Sequence, residues 1–296
     1  MQDGQNVFDD STSFSGEWKV DETLHSMQMD GNYGAIVVGI ENGGTFRIDE
    51  YSPYQNPSYG GGQGDEYCDF MVNTLKPYID ANYRTLSQRD FTAVAGSSMG
   101  GLISFYAGIK YQNIFSKIGV FSPSLWFDDS IYTYVSSHPR QEPMKFYFVA
   151  GRNESSDMVP DIKSMYSTMY AAGFTDAEMD TVIKEDGEHA EWFWAREFPD
   201  CFTWLFDGTI ISAEDPEADS IFTVNPNPAQ HKIYLQSKYP MKKIHLSVYD
   251  SKGQKQLDLT QQFSKAVDIS KLKNGIYYLK VSDGAKTYSK IFEVMQ

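Results

Sequence analysis

Cysteine is almost missing from this chain. Two residues in 296, Cys68 and Cys201, stand far apart and in no metal-ligand spacing, which excludes a disulfide-stapled fold and a thiolate metal site. They read as two buried free thiols, with one disulfide as the alternative. No run of 18 apolar residues occurs, so no segment reads as a membrane-spanning helix. No basic leader with an apolar stretch opens the chain either, which begins directly on MQDGQNVFDD. Positive charge is scarce: 25 Lys and Arg against 40 Asp and Glu leave a net charge of -15. That balance argues against nucleic acid and anionic membrane as partners, since both would repel it. The glycines at 60–62 and 64 are not followed by Gly-Lys-Ser/Thr, so they do not form a phosphate loop.

What is present supports a sizeable core, with 41% hydrophobic and 15% aromatic residues. The length suits one large domain and one small one. The charge divides the same way. Residues 217–296 hold 12 Lys/Arg against 7 Asp/Glu, whereas residues 1–216 carry all of the negative excess. Apolar runs at 35–40, 91–95, 118–121, 145–150 and 181–184 predict strands, the first buried on both faces. Helical spacing predicts helices over 18–29 (ending at Gly31), 65–82 with a kink at Pro77, 102–111, 160–173 and 191–206. Strands alternating with helices predict an α/β fold with a mainly parallel sheet. The stretch 41–66 reads either as a mobile surface loop or as a substrate-facing loop. The acidic stretch 213–221 reads as a linker between a domain at 1–212 and a module at 222–296. In that module, short runs at 232–235, 243–249, 266–269, 275–281 and 288–294, punctuated by turn residues, predict an all-β sandwich.

The chemistry centres on FTAVAGSSMGG (91–101). Gly-x-Ser-x-Gly between a strand and a helix is the context of a nucleophile elbow, which makes Ser98 the candidate nucleophile. A serine hydroxyl needs a base, usually histidine, held by a carboxylate, in the chain order serine, acid, histidine. His25 precedes the serine, His231 and His245 lie in the β module, and His138 sits in a loop away from any strand end. His189, between the last strand and the last helix, is the candidate base. Glu154, directly after the 145–150 strand, is the favoured acid. Asp157 is its competitor and Asp161 a weaker one. The tetrahedral intermediate needs two backbone N–H donors. Met99 supplies one, and the loop Asp3-Gly4-Gln5-Asn6 is the candidate for the other, against a reading as a frayed start.

Together, DGQNVFD (3–9), VVGIEN (37–42), LKPYIDANYRT (75–85), GSSMGGL (96–102), FSPSLWF (121–127) and GEHAEWFW (187–194) resemble the putative esterase family of α/β-hydrolases. That family is similar to esterase D, ferulic acid esterases and enterobactin esterases. The resemblance implies Ser98 as nucleophile, Glu154 as acid and His189 as base. It makes Asp3 to Gln5 the oxyanion loop, with Gly4 and Gln5 as donors beside Met99. It also sets Trp126 and Tyr59 near the acyl pocket. It implies no metal and no cofactor. The family carries two or more strands ahead of the DGQN loop, so the resemblance implies that this chain is a late-started version of a longer protein.

The C-terminal part is similar to type IX secretion sorting domains of Bacteroidetes, through VNPNP (224–228), VYDSKG (248–253), VDISKLKNGIYYLKV (267–281) and SKIFEV (289–294). Without that resemblance it reads as a carbohydrate-binding sandwich. The implied whole is a secreted or cell-surface serine carboxylic-ester hydrolase that meets the secretion machinery through its tail. Its expected substrates are short-chain or polysaccharide-linked acyl esters, acetyl or feruloyl, ahead of a siderophore ester. A non-catalytic surface-displayed binding protein and an acyltransferase are the alternatives.

Overall fold

The computed structural model describes residues 1–29, 34–206, 222–237, 241–251, 253–283 and 287–296. The chain forms two units, one of Met1–Pro77 with Leu86–Thr209, the other of Tyr78–Thr85 with Ile210–Gln296. The linker expected at 213–221 and the helix end expected at Gly31 lie outside the described residues.

Ahead of the main sheet come α1 (Val20–Met29), α2 (Gly64–Phe70) and α3 (Lys76–Asn82). Four parallel strands then build the first unit: β1 (Ala93–Ser97), β2 (Lys117–Phe121), β3 (Lys145–Gly151) and β4 (Met179–Lys184), adjacent in that order. The helices α4 (Met99–Lys110), α5 (Ser130–Ser137) and α6 (Met158–Ala171) fall between successive strands, and α7 (Glu191–Phe206) follows β4. Both faces of the sheet are covered, and the period of two in β3 shows how. Phe146 and Phe148 join the core that holds Phe105 and Ile109 of α4 and Ile162 and Met165 of α6. Tyr147 and Val149 point the other way, into a cluster with Phe193, Trp194 and Phe198 of α7 and with Trp18. The sheet register aligns Ser97 with Phe121 and Phe121 with Val149, so the chain turns that follow β1, β2 and β3 emerge along one edge. In parallel α/β sheets that carboxyl edge is where ligands bind.

Two expectations need correction. The run at 35–40 is not a strand buried on both faces: Ile36 is 41% exposed and no ladder forms along it. Among the described residues its end bonds the first residues of the chain: the Met1 ammonium to Val38 C=O at 2.7 Å, Ile40 N–H to Met1 C=O at 2.9 Å and Gly4 N–H to Ile40 C=O at 2.7 Å. Gln2 N–H in turn reaches Ala95 C=O of β1 at 2.9 Å. A β-branched run satisfies only one requirement of a strand; the other is a partner along its length. The helix expected over 65–82 is interrupted earlier than its proline, by a π turn at Met71–Leu75 where Lys76 N–H reaches back to Met71 C=O. Pro77 has no N–H to continue the ladder, and the bonding widens just before it.

The second unit contains β5 (Phe222–Asn225), β6 (Lys232–Ser237), β7 (Lys243–Tyr249), β8 (Lys255–Gln262), β9 (Val267–Asp268), β10 (Gly275–Ser282) and β11 (Thr287–Val294). They make a four-stranded sheet, β8-β7-β10-β11, and a three-stranded sheet, β9-β6-β5, with antiparallel pairing throughout. One core joins the two sheets, with Val224, Ile233 and Leu235 from the smaller and Leu246, Leu279 and Phe292 from the larger.

Candidate active site

Ser98 stands between β1 and α4 at φ 57°, ψ -124°. A side chain rarely adopts that backbone, which costs on the order of 1–3 kcal/mol. The turn closes tightly enough that a Cβ on Gly96 would lie 2.6 Å from Gly100 O, so only glycine fits there. Ser98 N–H bonds Phe121 C=O at 3.0 Å, and Ser124 N–H bonds Ser98 C=O at 3.1 Å, tying the elbow to the turn after β2. The half-exposed hydroxyl has Ser124 Oγ at 3.4 Å.

His189 and Glu154 come together. His189 Nδ1–H donates to Glu154 Oε2 at 2.7 Å, which leaves Nε2 free to accept. The Glu154 side chain is 1% exposed, while its partner imidazole is 41% exposed. Glu154 Oε1 accepts two more bonds, from Gly151 N–H at 2.6 Å and Ser122 Oγ at 2.8 Å, and Ser122 Oγ accepts from Trp194 Nε1 at 2.8 Å. The Trp194 and His189 rings also meet edge to face at 5.1 Å between centroids. Among the described residues no hydrogen bond joins Ser98 to His189. Bonds of that kind commonly tighten only with substrate in place.

The other acids lie elsewhere. Asp157 is exposed at the start of α6 and accepts from Ser156 Oγ at 3.2 Å, and Asp161 sits in the first turn of that helix. His138 stacks on Tyr134 at 3.9 Å and its Nδ1 lies 2.9 Å from Tyr134 C=O. The loop at 3–6 is a 3-10 turn beside α4 with Asp3 and Asn6 buried, rather than a frayed start. Gly4 N–H is already committed to Ile40 C=O. Gln5 N–H and Met99 N–H have no acceptor among the described residues, the latter as a first-turn helix amide.

Residues 1–204 match the family described as "Putative esterase". The chain belongs to that family. Residues 223–294 match a "Secretion system C-terminal sorting domain". The esterase is 26% identical over 184 residues to the uncharacterized protein YbbA of Bacillus subtilis (strain 168), covering 58% of this chain and 73% of that protein. In fold it is similar to the BES protein from Bacillus cereus, with a TM-score of 0.54 at 18% identity over 69% of this chain and 80% of that one. An IroE-like serine hydrolase from Shewanella oneidensis gives 0.53 at 20% identity, over 74% and 72% of the two chains. The protein is thus an ester hydrolase on an α/β-hydrolase scaffold, and its sorting domain makes it a secreted or cell-surface protein. No helix among the described residues is long and apolar enough to cross a membrane.

In the esterase, Tyr59 and Trp126 meet edge to face at 5.5 Å, both more than half exposed. A hollow of about 400 Å³ opens beside the His189 loop, lined by Ser15, Gly16, Lys19, Ala190 and Trp192. A trio of carboxylates, Glu17, Asp21 and Glu22, could offer oxygens to a cation, but these groups are largely exposed at a helix start and hold no partner that points to one. Sequence reasoning left several residues without a role: Ser122 and Ser124 inside FSPSLWF, Trp194, Asn42 and Arg47. All but Arg47 lie in motif strings quoted above, but a serine or an arginine acquires a role only from what it faces.

Proposed function

We propose that this esterase works through an acyl-enzyme on Ser98, with His189 as base, Glu154 as the carboxylate that orients it, and the amides of Met99 and Gln5 as oxyanion donors. The observation that carries the reading is the buried Glu154 carboxylate bonded at 2.7 Å to His189 Nδ1, on the same sheet edge as the strained Ser98. Ser98 Oγ attacks the carbonyl carbon while its proton passes to His189 Nε2. The oxyanion that forms accepts the two amide hydrogens. Collapse breaks the acyl–oxygen bond, and the imidazolium gives its proton to the leaving alcohol. Water then attacks the acyl-enzyme with His189 again as base, releasing the acid and restoring Ser98. Ester and water alone balance the sequence.

The substrates we propose are short-chain acyl esters and acyl groups, acetyl or feruloyl, on polysaccharide. The exposed Tyr59 and Trp126 rings support this, because aromatic faces bind planar acyl groups and sugar faces. In the same reading, the hydrolase spans 1–212 and a linker at 213–221 joins it to the 222–296 module, which the secretion machinery takes up.

The test combines Ser98→Ala with a fluorophosphonate probe. Wild type should hydrolyse p-nitrophenyl acetate and label at Ser98, and the variant should lose kcat by roughly a millionfold. Retained turnover in Ser98→Ala, or a wild-type protein that neither turns over nor labels, would reject the mechanism.

A further inference from the structure

The stretch 40–51 holds none of the reacting groups, yet its polar groups converge on residues 3–5. Arg47 grips the Asp3 carboxylate with a fork, Nε to Oδ1 at 2.7 Å and Nη2 to Oδ2 at 2.9 Å. Asn42 Nδ2 donates to the same Oδ1 at 2.7 Å. The Gln5 carboxamide pairs with the Asn42 backbone in both directions, each bond 3.2 Å long. Asp3 N–H donates to Tyr51 Oη at 2.9 Å and Gly4 N–H to Ile40 C=O at 2.7 Å. Of the three consecutive amides, only that of Gln5 is left without an acceptor among the described residues.

Asp3 itself is buried and held at φ 53°, ψ 52°, a left-handed backbone that a surrounding structure must enforce. Its Oδ2 lies 3.1 Å from where a Cβ on Gly100 would stand, two residues past Ser98. A bare carboxylate there would oppose the negative charge that builds on the substrate oxygen, in a setting where water screens poorly.

We infer that Arg47 is a positioning residue for ester hydrolysis: its fork on Asp3 fixes the turn that presents the Gln5 amide, and its charge cancels the carboxylate beside the oxyanion. The inference rests on the Ser98 acyl-enzyme reading for the place where that oxyanion forms. Lysine cannot reproduce the fork, since it is a point charge without the planar pair of donors.

Three variants test this: Arg47→Lys, Arg47→Gln, and the double variant Asp3→Asn with Arg47→Gln. With p-nitrophenyl acetate, Arg47→Gln should lower kcat by about 100-fold with KM within about twofold, the size of effect seen when an oxyanion donor is displaced. Arg47→Lys should fall between it and wild type. The double variant, which removes both charges, should regain about tenfold over Arg47→Gln, a rescue that a purely structural role would not give. Amide hydrogen exchange supplies a readout that needs no substrate. Peptides covering 2–7 should exchange faster in the Arg47 variants while those covering 99–110 keep wild-type protection. If Arg47→Gln does not fold, Arg47→Lys carries both measurements. Unchanged exchange over 2–7, or kcat within twofold of wild type, overturns the inference. A wild-type protein without turnover or Ser98 labelling sinks the acyl-enzyme reading instead, and the exchange result then decides on the Arg47 fork by itself.

Discussion

At the scale of single residues, the hydrogen bonds around Glu154 form a small closed network. Ser122 is buried, donates to Glu154 and accepts from Trp194 Nε1, all at 2.8 Å. Ser122→Ala would strand the indole N–H and take one of three bonds from Glu154. Urea unfolding should show a loss of about 1–3 kcal/mol, the cost of a buried group left unmade. Glu154→Gln keeps the shape but sets an amide against donors from both His189 and Gly151, so the wrong imidazole tautomer is favoured. Its kcat on p-nitrophenyl acetate should fall on the order of 10⁴-fold with little change in thermal stability. A kcat within tenfold of wild type would show that Glu154 does not orient the base.

At the scale of elements, the loops that carry Glu154 and His189 are zipped together. Asn153 N–H bonds Gly187 C=O at 3.0 Å, and a Cβ on Gly151 would lie 2.0 Å from Gly187 O. The atoms that the Cβ would meet are all main chain of Gly187, so they cannot swing away. Gly151→Ala should destabilise the protein by about 1–3 kcal/mol, as overpacking does, and lower kcat because it moves Glu154 and His189 apart. Melting temperatures and turnover measured on the same samples check both outcomes.

A second element-scale anchor is Glu178, at the start of β4. It accepts from Arg140 Nε at 2.7 and 2.9 Å, from Met144 N–H at 2.8 Å and from Thr175 N–H at 3.1 Å. Burial raises its pKa, but the Arg140 guanidinium and the N–H donors outweigh burial and hold it below the usual glutamate range. A depressed folded pKa gives stability that is present above the unfolded value and lost as pH falls through the folded one. Glu178→Gln should therefore flatten the acid limb of a melting-temperature series from pH 7 to pH 3. An acid limb identical to wild type would show that this carboxylate is not the anchor.

At the scale of the whole molecule, the two thiols are free and buried, Cys68 among the residues around Tyr67 and Ile103, Cys201 in the cluster with Trp194 on the opposite side of the sheet. Burial pushes both well above the ordinary thiol range. Reductant should leave the melting temperature unchanged, and iodoacetamide should label both cysteines only after unfolding. Rapid labelling of the native protein would contradict their burial.

How far the sequence reaches depends on whether a signal is local. Lys117–Phe121 and Lys145–Gly151 were legible because strands covered on both faces leave continuous apolar runs. Lys255–Gln262 escaped notice because its residues alternate with polar ones in KQLDLTQQ, which leaves no apolar run to read. The 35–40 run misled in the opposite sense, carrying strand-forming residues that pair with no strand among the described residues. Stretch 41–66, divided between mobile loop and substrate loop, has a further part that neither reading contained: its first half fastens residues 3–5 through Asn42, Arg47 and Tyr51.

By itself the sequence determined the elbow around Ser98, the order of serine, carboxylate and histidine along the chain, and the change of texture between the two parts. Each of these is written in neighbouring residues. Tertiary structure alone decided which carboxylate meets His189, which amide in the 3–5 turn is left free, and what Arg47 grips. Those depend on groups tens of residues apart, joined by hydrogen bonds about 3 Å long that no local pattern encodes.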